Sequence, residues 1–370
     1  IYGAWVAADA ALRGLSVALV ERTDWGAGTS SRSSKLIHGG LRYLRGLHLR
    51  LVRKSLAERR LLARLAPHQV RPLRFLFPAD GTPAPLVAAG LTLYDLLAGR
   101  DQPVAPHARL EPAAAARRCP FLDGARGRPL FSYGDCATDD ARLTLEVVAQ
   151  ALAAGAVAVN HATVRHLLAS RAGVAGAAVA CSLTGREVEV RARLTVLAAG
   201  PWSEGLLPGG GRRPWARYTK GVHLVMEPLP CAEALLLVAR SDRRVFFVIP
   251  WYGASLVGTT DTDYRGDPDR VAVEEADVAY LLGELAAHAP GLGWGAGEIR
   301  GAFAGLRTLR HQPGRSPSSV SREWRLVEPR PGLLMPVGGK LTAARADAAA
   351  IVDRACRRTI LPEAFLASSE

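Results

Sequence analysis

The fold is decided by residues 2–21, which read YGAWVAADAALRGLSVALVE. The alanine-rich apolar pattern predicts a helix over 2–13 that Gly14 ends, and the apolar run 16–20 predicts a buried strand ending at Glu21. Gly3 at the helix start and an acidic residue at the strand end match the last part of a dinucleotide-binding fingerprint. The two earlier glycines and the preceding strand of that fingerprint are absent from the sequence, so we expect this N-terminal strand to be missing.

The rest of the chain contains further segments in which a strand is followed by glycine and a helix. Segments of short strands lie between them. A buried strand over 194–198 breaks at Gly200, and a strand over 333–337 leads through Gly338 and Gly339 into a helix. Short strand-like runs in the segments between them, including a hairpin over 245–259, favour an antiparallel sheet. We therefore predict an α/β fold in which a Rossmann-like dinucleotide domain is interleaved with an α+β antiparallel-sheet domain. The predicted boundaries are 1–66 with 135–210 and 328–370 for the first domain, and 67–134 with 211–327 for the second.

Composition limits the possible classes. The 370 residues are 49% hydrophobic and 22% charged, which excludes disordered, collagen-like and disulfide-stapled chains. The net charge of +13 would suit an anionic lipid surface, whereas the dispersed arginines disfavour a nucleic-acid module. Five scattered cysteines without a CxxC pattern indicate neither a zinc site nor a disulfide framework, so no metal is predicted and a reducing cytosol fits best. No uninterrupted run of about 18 apolar residues predicts a membrane span.

A polar loop at residues 29–43, TSSRSSKLIHGGLRY, combines hydroxyls, small residues and cations, and such a loop can bind an anion through its side chains and freed amides. The alternative is a serine-rich helix cap followed by a glycine turn. A second motif, GGKLT at 338–342, begins a helix whose positive end and lysine could stabilise a reduced redox ring. Its alternative is an ordinary strand-to-helix turn.

Further polar residues follow apolar strands at 220–223, 258–261 and 305–307 and at Arg322, and strand ends are the usual place for sites. Each could equally be a solvated loop. There is no HExxH, GxSxG, kinase or EF-hand pattern, so redox chemistry on a bound dinucleotide is the remaining reading.

Taken together, these motifs resemble the FAD-dependent, quinone-linked glycerol-3-phosphate dehydrogenases, within the flavoprotein group that includes D-amino acid and sarcosine oxidases. The resemblance covers nearly the whole chain, and the segment 34–44, SKLIHGGLRYL, is its most specific part. Other matching segments are AAD at 7–9, RGLSV at 13–17, DDARL at 139–143, GPW at 200–202, KGVH at 220–223, VIPW at 248–251, GTTD at 258–261 and GGKLT at 338–342.

The resemblance implies oxidation of sn-glycerol 3-phosphate to dihydroxyacetone phosphate, with hydride passing from C2 to N5 of FAD and electrons passing to quinone. It implies catalytic roles for His223, Arg307, Lys340, Asp261 and His38, and substrate binding by Arg42, Tyr43, Thr260, Arg307, Arg322 and Lys340. Residues expected to bind FAD are Gly3, Glu21, Thr29, Ser30, Ser31, Ser34, Lys35, Leu36, Ile37, His38, Gly39, Gly200, Gly338, Gly339, Lys340, Leu341 and Thr342. We expect His223 to act as the base for the C2 hydroxyl, as a neutral imidazole suited to the working pH.

Three alternatives stay open from the sequence. An oxidase of the same family would pass electrons to oxygen, a silent flavoprotein fold would bind no flavin, and a basic nucleic-acid module is the weakest. The expected partners are glycerol 3-phosphate, quinone or another electron acceptor, and an anionic membrane surface, without nucleic acid; a homodimer is also allowed. The expected location is the cytoplasm, peripherally on the inner face of the membrane.

Overall fold

The structure is a computed structural model that describes residues 1–79, 81–123, 129–207, 214–314 and 323–359. Its helices are α1 Tyr2–Leu12, α2 Leu49–Leu65, α3 Ala84–Ala98, α4 Pro112–Arg118, α5 Asp140–Ala153, α6 Glu275–His288 and α7 Ala344–Thr359. Its strands are β1 Ala18–Val20, β2 Leu36–Ile37, β3 Arg71–Pro78, β4 Ala108–Leu110, β5 Leu130–Ala137, β6 Val157–Val159, β7 Ala162–Ser170, β8 Gly173–Cys181, β9 Glu187–Arg191, β10 Thr195–Val196, β11 Ala216–Met226, β12 Ala234–Val238, β13 Val245–Trp251, β14 Ala254–Gly258, β15 Thr262–Tyr264, β16 Ile299–Arg310, β17 Arg325–Arg330 and β18 Leu333–Val337.

The α1–β1 unit forms as predicted. Alanines, which have the highest helix propensity, let α1 pack closely against α5 and α7, and seven of its residues are buried. Gly14 ends the helix with φ of 78°, a left-handed conformation that glycine adopts without strain. Strand β1 then pairs in parallel with β6, and β10 pairs in parallel with β18.

A larger sheet forms the other layer. Its strands run in the order β15–β11–β14–β13–β12–β3–β5–β2, with β16 also paired to β11 and β4 to β5. Every pairing is antiparallel except that of β3 with β12. Buried aliphatic and aromatic side chains fill its two faces, and a separate three-stranded sheet, β7–β8–β9, lies beside β10. The predicted combination of a Rossmann-like part with an antiparallel sheet is confirmed.

Two details differ from the sequence prediction. The strand expected over 194–198 is only two residues long, because β10 pairs with β18 only at Thr195 and Val196. The helix expected from Leu341 begins at Ala344, after a 3-10 turn over Leu341–Ala343. The domain boundaries stay a prediction. Strand β2 and the end of β5, both assigned to the dinucleotide domain, pair within the larger sheet.

None of the helices in the described ranges is both long enough and apolar enough to cross a bilayer.

Candidate functional site

Two adjoining cavities lie where the parallel strands meet the large sheet. The first, which we call the long cleft, has a volume of about 1230 Å³ and is lined by α1, the end of β1 and Gly200. The second, the inner cavity, has a volume of about 700 Å³ and is lined by Ser34, His223 and the 338–342 turn, among others. Thr29 and Ser30 line both cavities, so the two form one continuous site.

The long cleft has the features that a dinucleotide requires. Gly3 lies in the first turn of α1 and lines it, where the positive end of the helix dipole favours a phosphate. Glu21, at the end of β1, also lines the cleft, and its Oε1 accepts a hydrogen bond from the Thr23 amide at 3.1 Å. A Cβ added to Gly200 would meet nothing within 4 Å, so the wall is open there. FAD therefore fits this cleft, with Glu21 placed to accept hydrogen bonds from a ribose diol.

The loop over 29–40 contributes to the walls of both cavities, and its own hydrogen bonds anchor it to the large sheet. The Thr29 hydroxyl donates to the Leu306 carbonyl at 2.7 Å, and the Arg32 guanidinium donates to the Ala304 carbonyl at 3.0 Å. Both acceptors belong to β16, which therefore fixes the start of the loop.

Lys35 anchors the middle of the loop over 29–40 to the protein interior. Its ammonium donates to Asp140 at 2.6 Å and to the Ser31 carbonyl at 2.7 Å, and the Lys35 and Asp140 side chains are 6% and 0% exposed. The Ser33 hydroxyl also donates to Asp140, at 2.6 Å. Lys35 therefore binds the protein interior, and its charge does not face either cavity.

Gly39 is held by a buried network that sequence reasoning missed. Its amide donates to Asp135 at 3.0 Å, and the same carboxylate accepts from Arg59 at 2.7 Å and from the Tyr94 hydroxyl at 2.9 Å. Burial raises the pKa of Asp135, and the Arg59 charge opposes this rise. A charged residue inside the apolar strand Leu130–Ala137 was the available signal, because a buried charge requires a partner.

Cations dominate the inner cavity. Among the described residues that line it, seven are arginine or lysine and three are aspartate: Arg32, Arg42, Arg45, Arg243, Arg244, Arg307 and Lys340 against Asp135, Asp242 and Asp261. Such an excess of positive charge in a partly enclosed space favours an anionic ligand.

Arg307 is oriented by the predicted motif at 258–261. Its guanidinium donates to the Thr259 hydroxyl at 2.7 Å, to the Thr260 carbonyl at 3.1 Å and to Asp261 at 3.2 Å. Gly221 on the neighbouring strand leaves room for it, because a Cβ there would lie 2.3 Å from Arg307 Nη2. The three motifs at 220–223, 258–261 and 305–307 are therefore brought together around one cation, although they are distant in sequence.

Lys340 also lines the inner cavity. Its ammonium donates to the Ser55 hydroxyl at 3.1 Å and lies 4.3 Å from the centre of the Tyr43 ring. Arg42 donates to the Tyr43 hydroxyl at 2.9 Å, so this group presents two cations to the same space. Ser55 was not predicted, and no local motif identifies it.

Both predicted histidines are neutral. Burial and the nearby charges of Arg307 and Lys35 lower the pKa of His223 to about 3. Burial also lowers the pKa of His38 well below its usual value, with Lys340 contributing. The His223 ring is only 2% exposed, and the sequence did not reveal this burial, which disfavours its charged form. The role of His223 as the base stays a prediction.

Comparison with known proteins places these features in a family. The sequence signature of the family described as "DAO: FAD dependent oxidoreductase" matches residues 1–345. The chain belongs to the DAO family of FAD dependent oxidoreductases. The predicted family, fold class and cofactor are thereby confirmed.

Several DAO-family proteins resemble the chain over most of its length. It is 40% identical to "Glycerol-3-phosphate dehydrogenase 2" of Mycobacterium tuberculosis over 96% of this chain, and 39% identical to "Glycerol-3-phosphate dehydrogenase" of Pseudomonas aeruginosa over 93%. It spans 61% of the former's length and 68% of the latter's. Among solved structures, the glycerol-3-phosphate dehydrogenase of Bacillus halodurans complexed with FAD superposes with a TM-score of 0.77 at 29% identity, covering 98% of this chain and 64% of that one.

Most residues predicted for the DAO-type site line the two cavities, where their roles stay predictions. They are Gly3, Glu21, Thr29, Ser30, Ser34, Leu36, His38, Arg42, Tyr43, Gly200, His223, Asp261, Arg307 and residues 338–342. Five predicted residues, Ser31, Lys35, Ile37, Gly39 and Thr260, line neither cavity. Thr260 and Lys35 are buried behind the wall, where they support Arg307 and the loop. Arg322 lies outside the described residues.

Proposed function

We propose that the chain oxidises sn-glycerol 3-phosphate to dihydroxyacetone phosphate with FAD as cofactor. The observation that carries this proposal is the cation-rich inner cavity, which adjoins a cleft suited to a dinucleotide. The names of the mycobacterial and pseudomonad relatives support it.

Charge accounts for the choice of substrate class. A phosphomonoester carries about −1.5 to −2 at neutral pH, and arginine side chains bind it with paired hydrogen bonds. Arg307 is already oriented by Thr259 and Asp261, so less side-chain freedom is lost when it binds a ligand. Lys340 and Arg42 add positive charge to the same cavity. The cavity is therefore suited to a small phosphorylated alcohol rather than to a neutral amino acid.

FAD, when bound, supplies the hydride acceptor, N5, for the substrate C2. The chain's own cations would hold the phosphate, and His223 and His38, whose pKa values burial lowers, would face the three-carbon part of the substrate as neutral groups. His223 as the base for the C2 hydroxyl stays a hypothesis. Its neutral ring has a free lone pair, but a pKa of about 3 makes it a weak proton acceptor.

Quinone as electron acceptor, peripheral attachment to the inner face of the membrane and a homodimer are also proposals. The net charge of +13 supports attraction to anionic lipid, and quinones are found in bilayers. The alternative acceptor is oxygen, which would yield hydrogen peroxide. An assay with ubiquinone analogues and with oxygen, scored by quinone reduction and peroxide release, separates the two.

The decisive experiment is an absorption spectrum of the purified protein before and after anaerobic addition of glycerol 3-phosphate. We expect flavin absorption bands at about 370 and about 450 nm, and we expect them to bleach when glycerol 3-phosphate is added. Bands that persist would reject this substrate while retaining the cofactor, and their absence after incubation with FAD would favour a silent flavoprotein fold. Arg307→Lys, which keeps the charge and loses the paired geometry, is the matched variant for substrate affinity.

A further inference from the structure

Ser34 and His223 form a hydrogen-bonded pair in the wall of the inner cavity. The distance between Ser34 Oγ and His223 Nε2 is 2.9 Å, and both residues line the cavity. Ser34 lies in the loop over 29–40, whereas His223 lies on β11, so the pair joins the loop to the large sheet. Any ligand that reaches His223 Nε2 must therefore share it with the Ser34 hydroxyl.

The imidazole ring of His223 is fixed in orientation. One face stacks on Phe303, with ring centres 5.0 Å apart and an angle of 18° between the planes. The ring also abuts the backbone at Gly258, where a Cβ would lie 2.4 Å from His223 Cδ2. The ring cannot turn over without moving these neighbours, so Nε2 stays on Ser34 and Nδ1 stays in the interior. There, Nδ1 finds no hydrogen-bond partner among the described residues.

This orientation selects one tautomer. A neutral imidazole has a single N–H, and if Nδ1 carried it, a buried donor would be left unpaired. Buried N–H groups without an acceptor are rarer in proteins than acceptors with a free lone pair. The proton therefore belongs on Nε2, which donates to Ser34 Oγ. The Ser34 hydroxyl accepts that bond, and its own hydrogen is available to the cavity.

We propose that Ser34 donates a hydrogen bond to the C2 oxygen of the three-carbon phosphate, and that His223 is a positioning residue that acts through Ser34. The proposal rests on the proposed function. It replaces the hypothesis that His223 is the base, because Nε2 already carries a proton and Nδ1 faces the interior. It also replaces the expectation that the Ser34 side chain binds FAD, because it assigns that hydroxyl to the substrate. The C2 carbonyl oxygen of the product is a suitable acceptor for the Ser34 hydroxyl.

Two probes that differ at C2 test this contact in the oxidised, FAD-loaded protein. Dihydroxyacetone phosphate has an oxygen at C2, and 3-hydroxypropyl phosphate has the same chain without it. By calorimetry, we expect Ser34→Ala to weaken binding of the first by about 2- to 10-fold, the range for one neutral hydrogen bond, and to leave the second unchanged. Ser34→Thr keeps the hydroxyl and should retain the discrimination. Ser182→Ala, which removes an exposed hydroxyl remote from the cavity, is the matched control.

The role of His223 has its own readouts. His223→Gln can still place an N–H near Ser34 and should bind dihydroxyacetone phosphate nearly as well as wild type, whereas His223→Leu should lose affinity as Ser34→Ala does. The double variant of Ser34→Ala with His223→Leu should be no worse than either, since the two residues act through one bond. Nitrogen NMR of labelled histidine should show a protonated Nε2 and a bare Nδ1 for His223 between about pH 6 and 8.

The proposal is overturned if Ser34→Ala weakens both probes equally, if it weakens neither, or if the proton is found on Nδ1. Failure of the proposed function looks different, because the wild-type protein would then bind neither phosphate. In that case the assignment of Ser34 to the C2 oxygen falls with it.

Discussion

The buried ion pair between Lys35 and Asp140 yields the sharpest stability prediction. Lys35→Met keeps most of the apolar volume but leaves the Asp140 carboxylate, which is 0% exposed, without its counter-charge. Removing one partner of a buried pair costs about 3–5 kcal/mol. The carboxylate retains hydrogen bonds from the Ser33 amide, the Ser33 hydroxyl and the Ala141 amide, so we expect the lower end, about 3 kcal/mol. This corresponds to a roughly 150-fold change in the folding equilibrium.

Urea unfolding followed by circular dichroism measures this cost. With a slope of about 3 kcal/mol per M, the unfolding midpoint should fall by about 1 M. The control is Arg191→Met, which removes an exposed pair with Glu189 whose side chains are 75% and 53% exposed. Such exposed pairs contribute about 0–1 kcal/mol, so its midpoint should fall by about 0.3 M or less. Equal midpoint shifts in the two variants would show that the buried pair contributes no more to stability than the exposed one.

Three further predictions follow. Gly39→Ala would place a Cβ 2.3 Å from both Leu56 and the Tyr94 hydroxyl. We therefore expect it to lower the free energy of unfolding by about 1–3 kcal/mol, as measured by thermal unfolding. The control Gly301→Ala, whose Cβ would meet no atom within 4 Å, should be tolerated. The pKa of His223 is about 3 when folded and near its usual 6.5 when unfolded, so unfolding takes up protons between these values. The contribution of His223 to the free energy of unfolding is therefore fully present above about pH 6.5, and it falls by up to about 1.4 kcal/mol per pH unit toward pH 3. A pH series in which His223→Gln keeps the same slope would contradict this. Arg307→Lys should raise the dissociation constant for glycerol 3-phosphate at least about tenfold, because hydrogen bonds to a charged group contribute about 1.5–3 kcal/mol each. Titration followed by the flavin absorption measures this constant, and an unchanged value would show that Arg307 does not bind the phosphate.

Most secondary structure was accessible from the sequence because its signals are local. The helix predicted over 2–13 is observed at Tyr2–Leu12, and Gly14 follows it with a left-handed φ of 78°. The hairpin predicted over 245–259 is observed as Val245–Trp251 and Ala254–Gly258. Alternation, caps and turn residues act over a few positions, so one sequence suffices to find them.

Contacts between distant segments were not accessible. Arg59 and Asp135 are 76 residues apart, and nothing near either residue identifies the other as its partner. The pKa of His223 depends in the same way on burial and on the charges of Arg307 and Lys35, which belong to other segments. Burial and Coulomb interactions of this kind are set by the packing of whole elements.

Lys35 and Lys340, the lysines of the motifs at 29–43 and 338–342, show what could not be predicted from the sequence. Two small residues precede each lysine: Ser33 and Ser34 precede Lys35, whereas Gly338 and Gly339 precede Lys340. The sequence predicted that both lysines belong to the cofactor site. In the structure, the Lys35 ammonium is buried against Asp140, whereas Lys340 lines the inner cavity. The sequence by itself determined the helices, the strands and the motifs that mark the DAO family, because these depend on neighbouring residues. Only the tertiary structure decided which charges face the cavity, because a long side chain binds whichever carboxylate or space the packing of distant elements brings within its reach.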